Sequence, residues 1–222
     1  MYKALLIDLD NTILDFTKCE YYAIKPVMEK YNIPVTEENI NTYSKINLAN
    51  WKRLEKKEIT REECVTTRWE TFFGLFGIKA DGKDINDLYF SKLKQGGYIM
   101  PGAIEFLEKI TKIMPVYALT NGIADVQHSR LNNSEVKRYL AKVFISEEIG
   151  YTKPDPNFFN YVMKDINVNK EDCIMLGDSI TSDIAGAINA NIDNVWFDFK
   201  NTNPNYEGNR ITKLEEFFKF LD

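Results

Sequence analysis

"LLIDLDNTILDF", residues 5–16, is an apolar segment interrupted by two acidic residues, Asp8 and Asp10, two positions apart. The apolar residues before Asp8 predict a buried β-strand, since a short apolar run bounded by polar residues is typical of a strand covered on both faces. Buried carboxylates are costly unless a positive charge lies beside them. The segment therefore predicts either a cation site at the end of this strand or a strand end that turns into solvent.

The composition indicates an ordinary globular protein. The chain has 222 residues, of which 44% are hydrophobic and 27% charged, with a net charge of -5. This length can bury one substantial core, and the negative charge offers no general attraction to nucleic acid or anionic lipid. Cys19, Cys64 and Cys173 are odd in number and widely spaced, which argues against a disulfide framework. We expect a cytoplasmic protein without a leader sequence, a membrane segment or a nucleic-acid partner.

Short apolar runs recur along the second half of the chain and alternate with segments of helical periodicity. Strands are predicted at 3–9, 115–119, 142–146, 172–177 and 194–197. Helices are predicted at 103–112, 123–131, 135–140, 157–165, 182–190 and 213–221. This alternation is typical of a parallel sheet with helices on both faces, so we predict a Rossmann-like α/β fold.

The stretch after the first strand has a different texture, because it contains only helical patterns. Helices are predicted at 18–31, 37–57, 61–76 and 84–94. Thr60 and Glu63 are spaced as a capping box for the third of them. We therefore predict an all-helical domain at 15–97, inserted into a Rossmann-like core formed by 1–14 and 98–222.

A second acidic pair follows another predicted strand. The segment "MLGDSITSD", residues 175–183, places Asp178 at the strand end and Asp183 five positions later, near a helix start. Ligands of open parallel sheets bind outside the carboxyl ends of the strands. Together with Asp8 and Asp10, these acids predict a site for a hard cation, with helix capping as the alternative for Asp178 and Asp183.

Two further segments predict an anion site at the same edge of the sheet. The segment "YALTNG", residues 117–122, ends a strand at Thr120 and Asn121. The segment "GYTKPDPNFF", residues 150–159, places Lys153 before a helix. A hydroxyl and a cation beside the acids suit an anion, although a turn residue and a solvated loop lysine are the alternatives.

Four segments in this order resemble the motifs of the haloacid dehalogenase (HAD) superfamily of phosphohydrolases. They are "DLDNT" at 8–12, "LTNG" at 119–122, "KPDP" at 153–156 and "GDSITSD" at 177–183. The resemblance implies a Rossmann-like core with an inserted helical cap of the first type, which closes over the leaving group. Asn11 departs from the pattern, since many members have glycine there.

The resemblance also implies roles for individual residues. Asp8 would be the nucleophile that forms an aspartyl-phosphate, and Asp10 the general acid and base. The implied Mg²⁺ ligands are Asp8, the main-chain carbonyl of Asp10 and Asp178, with Asp183 as a direct or water-mediated ligand. The implied phosphate-binding residues are Thr120, Asn121 and Lys153. Mg²⁺ prefers such oxygen ligands.

Other phosphatase chemistries fit the sequence poorly. A cysteine phosphatase needs an arginine six positions after its cysteine, but the residue six positions after Cys64 is Glu70. A histidine phosphatase needs two histidines, and His128 is the only one. No GxxxxGK[ST] segment is present to bind a nucleoside triphosphate.

The reaction and substrate can be narrowed further by resemblance. Dehalogenases and phosphonate-cleaving relatives lack an acid at the position of Asp10, so we expect phosphate-ester hydrolysis. A phosphomutase of the β-phosphoglucomutase type and a catalytically silent phosphate-binding protein stay open. Residues 46–73 resemble the cap of the pyrimidine 5'-nucleotidase branch, which predicts specificity roles for Asn47, Trp51 and Arg68 toward a nucleoside monophosphate; the alternative places Trp51 in the helical core.

Overall fold

The computed structural model describes residues 2–79 and 81–221. The chain forms two compact units, Met1–Asp15 with Gly97–Asp222, and Phe16–Gly96. The boundaries predicted from the sequence lie one residue away from each of these divisions. That the first unit is a catalytic core and the second a cap stays a prediction.

The regular elements in the described residues of the unit Phe16–Gly96 are all helices. Its helices are α1 (Phe16–Lys30), α2 (Glu37–Glu55), α3 (Arg61–Gly74) and α4 (Gly82–Leu93). The capping box of Thr60 and Glu63 at the start of α3 is confirmed. Aromatic residues fill the centre of this unit, where the rings of Tyr43 and Trp69 stack with their centroids 4.8 Å apart.

The other unit contains a parallel sheet, as predicted. Its strands are β1 (Ala4–Asp8), β2 (Val116–Thr120), β3 (Lys142–Ile145), β4 (Cys173–Gly177), β5 (Asp193–Phe197) and β6 (Arg210–Ile211). They are ordered β3-β2-β1-β4-β5-β6, and every neighbouring pair is parallel. The five predicted strands are confirmed, whereas β6 is too short to produce a pattern in the sequence.

Helices cover both faces of this sheet: α5 (Ala103–Ile110), α6 (Ala124–Asn132), α7 (Ser146–Ile149), α8 (Pro156–Ile166) and α9 (Ala185–Ala190). The predicted helices at 135–140 and 213–221 are 3₁₀ helices, Glu135–Tyr139 and Leu214–Phe220. The helix predicted at 182–190 begins as a π-helical turn, Ile180–Ile184. Within residues 2–79 and 81–221, none of the helices has the length and apolar character needed to cross a membrane.

The continuous apolar run of β1 is explained by its burial on both faces. Leu5 and Ile7 pack into one hydrophobic cluster with residues of α5, while Ala4 and Leu6 pack into another with residues of α8. Asp8 ends this strand at the edge where β2 and β4 also end. Since β1 lies between β2 and β4, Asp8 occupies the point at which the order of the strands reverses, where ligands of such sheets bind.

Asp198 fastens the loop that joins β5 to β6. Its carboxylate accepts hydrogen bonds from the main-chain N–H groups of Thr202 (2.8 Å) and Asn203 (3.0 Å) and from Arg210 Nε (3.0 Å). Burial by itself would raise the pKa of this carboxyl, but the hydrogen bonds outweigh it and lower the pKa from 3.8 to about 2.

We expect Asp198→Asn to lower the free energy of unfolding by about 2 kcal/mol at pH 7. Because the folded-state pKa lies below the ordinary value, the carboxylate stabilises the fold above about pH 4, and this contribution is lost as the pH falls through about 2. Urea unfolding of both proteins should therefore show a smaller difference at pH 3 than at pH 7. An equal difference at both pH values would contradict this account.

Candidate active site

Asp8 is held by two side chains at the carboxyl end of β1. Its Oδ1 accepts a hydrogen bond from Lys153 Nζ at 2.7 Å, and its Oδ2 accepts one from Thr12 Oγ1 at 3.2 Å. Thr12 is fully buried, although no role was predicted for it. The carboxylate is therefore fixed between a cation and a hydroxyl.

The chain turns sharply between Asp8 and Thr12. Asn11 adopts a φ of 61°, in the left-handed region, and its main-chain N–H donates to the Leu14 carbonyl at 2.7 Å. Asparagine is one of the few residues other than glycine that enter this region readily. Asparagine can therefore occupy the position where many HAD members have glycine, because it tolerates the positive φ that this turn requires.

Lys153 is buried among hydrogen-bond acceptors. Its Nζ donates to Asp8 Oδ1, Asp183 Oδ1 and the Leu119 carbonyl, each at 2.7 Å. Burial opposes the charge, but the carboxylates of Asp183 and Asp8 outweigh it and hold the pKa of Lys153 above its ordinary value. Lys153 is therefore a permanent cation beside Asp8.

The side chain of Asn121 holds the backbone that carries this lysine. Asn121 Oδ1 accepts from the main-chain N–H of Lys153 at 2.9 Å, and its Nδ2 donates to the Lys153 carbonyl at 2.8 Å. The amide is thus engaged on both sides with the Lys153 backbone.

Three carboxylates converge beside Lys153. Asp8, Asp178 and Asp183 each offer an oxygen atom within 4.8 Å of the others. Burial, followed by the charges of Asp8 and Asp183, raises the pKa of Asp178 well above its ordinary value. Burial is also the main cause that raises the pKa of Asp8 to about 7, against the opposing charge of Lys153. A divalent cation would relieve this repulsion, and three hard oxygen donors suit Mg²⁺, so these residues fit the metal.

Asp183 owes its position to the π-helical turn and to a glycine. Its Oδ2 accepts from the main-chain N–H of Ser179 at 3.0 Å. A Cβ atom added to Gly177 would lie 2.5 Å from Asp183 Cγ, so only glycine allows the carboxylate to lie against β4. The neighbouring Asp178 carbonyl is braced by Trp196 Nε1 at 2.8 Å.

We expect Gly177→Ala to lower activity and to raise the Mg²⁺ concentration needed for half-maximal activity, each by about 10- to 100-fold. The added methyl group would displace the Asp183 carboxylate from Lys153 and Ser179. Gly74→Ala is the matched control, because nothing lies within 4 Å of a Cβ added there. Equal activity of the two variants would show that the position of Asp183 is unimportant.

Asp10 is contacted by two residues for which no role was predicted. Gln127 Nε2 donates to Asp10 Oδ2 at 2.9 Å and to Thr120 Oγ1 at 2.7 Å, and Arg130 Nη1 forms a short ion pair with Asp10 Oδ1. Their separation of three positions on α6 placed them on one helix face. In the sequence, however, long polar side chains on a helix are typical of a solvated surface.

The sequence profile of the haloacid dehalogenase-like hydrolases matches residues 2–191. The chain belongs to this family. Pyrimidine 5'-nucleotidase PynA of Streptococcus pneumoniae is 38% identical over 198 residues, which cover 88% of this chain and 84% of PynA. N-acylneuraminate-9-phosphatase of Homo sapiens is 26% identical over 203 residues, which cover 87% of this chain and 82% of the relative.

A solved structure is similar over the whole length of this HAD-like hydrolase. The crystal structure of the HAD-hydrolase YfnB of Bacillus subtilis, bound to magnesium, has a TM-score of 0.92 and 33% sequence identity. The match covers 100% of this chain and 99% of YfnB.

Two of the three specificity residues predicted in the helical unit of this HAD-like hydrolase belong to an internal polar network. Asn47 and Arg68 are 2% and 1% exposed, and Arg68 Nη1 donates to Asn47 Oδ1 at 2.7 Å. Asn47 donates to Glu20, and Arg68 also donates to Asn86. Trp51 is half-buried and so offers surface to a ligand. The specificity roles of these three residues stay predictions.

Cys64, Cys173 and His128 have properties unlike those of phosphatase nucleophiles. Burial raises the pKa of Cys64 to about 11. Burial, and to a smaller extent the charges of nearby acids, raise the pKa of Cys173 to about 12. A nucleophilic cysteine needs a lowered pKa. His128 is exposed and its Nε2 lies 2.7 Å from Glu148 Oε1. Asp8, by contrast, is buried beside Lys153, and its role as the nucleophile stays a prediction.

Proposed function

We propose that this HAD-family phosphatase is Mg²⁺-dependent and hydrolyses small phosphate monoesters, with nucleoside 5'-monophosphates as its substrate class. The observation that carries the proposal is the cluster of Asp8 with Asp178 and Asp183 beside Lys153, with Asp10 two residues after Asp8. The identity to PynA, a pyrimidine 5'-nucleotidase, supports the substrate class.

The proposed reaction has two displacements. An oxygen of Asp8 attacks phosphorus, the bond between phosphorus and the leaving oxygen breaks, and Asp10 gives that oxygen a proton. Asp10 then takes a proton from water, which attacks phosphorus and breaks the bond to Asp8. The products are an alcohol and inorganic phosphate, and both carboxyl groups return to their starting state. Covalent catalysis with a positioned acid and base is expected for such a transfer.

The positive charges of the site serve this reaction electrostatically. Mg²⁺, held by Asp8, Asp178, Asp183 and the Asp10 carbonyl, would supply charge that lets a carboxylate approach an anionic phosphate. Lys153 adds a fixed charge 2.7 Å from Asp8 Oδ1. Both oxygens of Asp183 already accept hydrogen bonds. Asp183 would therefore contact the metal either directly, beside these bonds, or through a water molecule.

Phosphate binding is assigned to Thr120, Asn121 and Lys153. Thr120 is 1% exposed at the end of β2, and the Asn121 side chain fixes the lysine backbone. In the helical unit, Trp51 is the predicted specificity residue with exposed surface, and an aromatic face of this kind can stack on a nucleobase.

A phosphate-release assay across nucleotides, sugar phosphates and phosphorylated acids tests this function. With Mg²⁺ present, we expect the highest kcat/KM for pyrimidine nucleoside 5'-monophosphates, with nucleoside and phosphate formed in equal amounts. Asp8→Asn protein purified in parallel controls for contaminating phosphatases. Isomerised sugar phosphate without phosphate release would indicate a phosphomutase instead. Binding without turnover would indicate a silent phosphate-binding protein.

A further inference from the structure

We propose that Gln127 and Arg130 are positioning residues that fix the Asp10 carboxylate and the Thr120 hydroxyl; the proposal rests on the proposed function of these two groups. Both residues lie on α6 and are buried, with exposed fractions of 1% for Gln127 and 0% for Arg130. Buried polar side chains of this length are uncommon unless their groups are paired.

The hydrogen bonds determine how the Gln127 amide is oriented. Its Oε1 accepts from Arg130 Nη1 at 2.9 Å, and arginine can only donate. The amide nitrogen therefore faces Asp10 and Thr120, and its two hydrogens match these two acceptors. One amide thus joins the proposed acid and base to the proposed phosphate-binding hydroxyl.

This orientation controls the hydrogen of Thr120. Thr120 Oγ1 accepts from Gln127 Nε2 at 2.7 Å and from the main-chain N–H of Gly122 at 3.1 Å. A hydroxyl oxygen that accepts two hydrogen bonds keeps its own hydrogen for another acceptor. We infer that this hydrogen is directed to a phosphoryl oxygen of the substrate.

Asp10 is held at both carboxylate oxygens. Arg130 contacts Oδ1 and Gln127 contacts Oδ2, while 26% of the Asp10 side chain stays exposed. A general acid must lie within hydrogen-bond reach of the leaving oxygen. Two fixed donors on a carboxylate restrict its rotation, so the rate should depend on them even though neither touches the substrate.

The loop that follows β2 packs closely against the side-chain amide of Gln127. A Cβ atom added to Gly122 would lie 2.8 Å from both Cδ and Nε2 of Gln127. The close approach of Gly122 is what brings its N–H to Thr120. The loop therefore packs directly on the amide that carries the proposed contacts.

The test compares Gln127→Met, Arg130→Met and Arg130→Lys with His128→Ala, a control on an exposed face of α6. Turnover of a nucleoside monophosphate and of p-nitrophenyl phosphate is followed in the steady state and by rapid quench. Loss of a positioned acid matters most when the leaving group is a poor one, and general acid–base catalysis contributes about 10²- to 10⁴-fold. We expect both methionine variants to lose about 100-fold in kcat on the nucleotide.

With p-nitrophenyl phosphate, the first displacement needs no proton. We expect the burst of p-nitrophenol in these variants to stay within roughly a few fold of the wild-type burst, because this step does not depend on Asp10. The variants should then turn over slowly while phosphoenzyme accumulates. Arg130→Lys should keep part of the kcat that Arg130→Met loses on the nucleotide. Inorganic phosphate should bind about five-fold more weakly to Gln127→Met than to the wild-type protein, which is the effect of one hydrogen bond. The loss of phosphate affinity should be smaller for Arg130→Met.

An equal loss in the rate of the first displacement with both substrates, measured by rapid quench and accompanied by a lowered melting temperature in proportion, would overturn the positioning role. So would activity at the wild-type level in both methionine variants. If wild-type protein neither released phosphate nor formed a phosphoenzyme, the proposed function would itself be overturned. The two failures are therefore distinguishable by the wild-type burst.

Discussion

Replacing Asp8 by asparagine is expected to lower phosphate release by about four orders of magnitude or more, because the proposed mechanism assigns the covalent intermediate to Asp8. The amide keeps the shape of the side chain, and Lys153 keeps its bonds to Asp183 and the Leu119 carbonyl. Removal of one charge from a crowded acidic cluster should leave the fold intact. Phosphate release, trapping of phosphoenzyme by rapid quench, and thermal melting together measure the effect.

The matched control is Asp172→Asn. Asp172 immediately precedes β4, at the opposite end of that strand from Asp178, and its Oδ2 forms an ion pair with Lys3 Nζ at 2.8 Å. We expect this variant to retain wild-type activity. Undiminished turnover by the Asp8→Asn protein would rule out the aspartyl-phosphate mechanism.

Removal of divalent metal with EDTA is expected to reduce phosphate release to the background rate, and addition of Mg²⁺ in excess should restore it. Asp8, Asp178 and Asp183 crowd negative charge at one strand edge, and Lys153 lies 2.7 Å from two of them. A ligand that binds only the folded state stabilises it. Mg²⁺ should therefore also raise the melting temperature of the wild-type protein.

A matched pair of variants separates a bound metal from a general salt effect. Asp178→Asn should need about 10- to 100-fold more Mg²⁺ for half-maximal activity and should show a smaller thermal shift, whereas Asp172→Asn should behave as wild type. Full activity after exhaustive treatment with EDTA would contradict a metal-dependent reaction. Equal Mg²⁺ requirements in both variants would place the metal away from Asp178.

Local periodicity was sufficient to predict most of the fold. The apolar runs at 3–9 and 172–177 predicted β1 and β4, because buried parallel strands need apolar residues on both faces. The π-helical turn Ile180–Ile184 was not predicted, since it differs from an α-helix only in its hydrogen bonds and shares much of its pattern. The last helix was predicted as amphipathic, and composition does not distinguish its 3₁₀ geometry.

The sequence by itself indicated the acids, the hydroxyl and the lysine of the candidate site, but not the side chains that hold them. Acids, a hydroxyl and a lysine at strand ends could be assigned to one edge of a sheet because parallel strands carry their carboxyl ends to the same edge. The asparagine at position 11 likewise suits the positive φ that the turn requires.

Only the tertiary structure decided which groups contact one another. Gln127 and Arg130 reach Asp10 across 117 and 120 positions of the sequence, and Asn121 contacts the Lys153 backbone across 32 positions. Asn47 and Arg68 enter a buried network for the same reason. Long flexible side chains can reach several partners, so helical spacing fixes only the face on which they lie, and packing selects the partner.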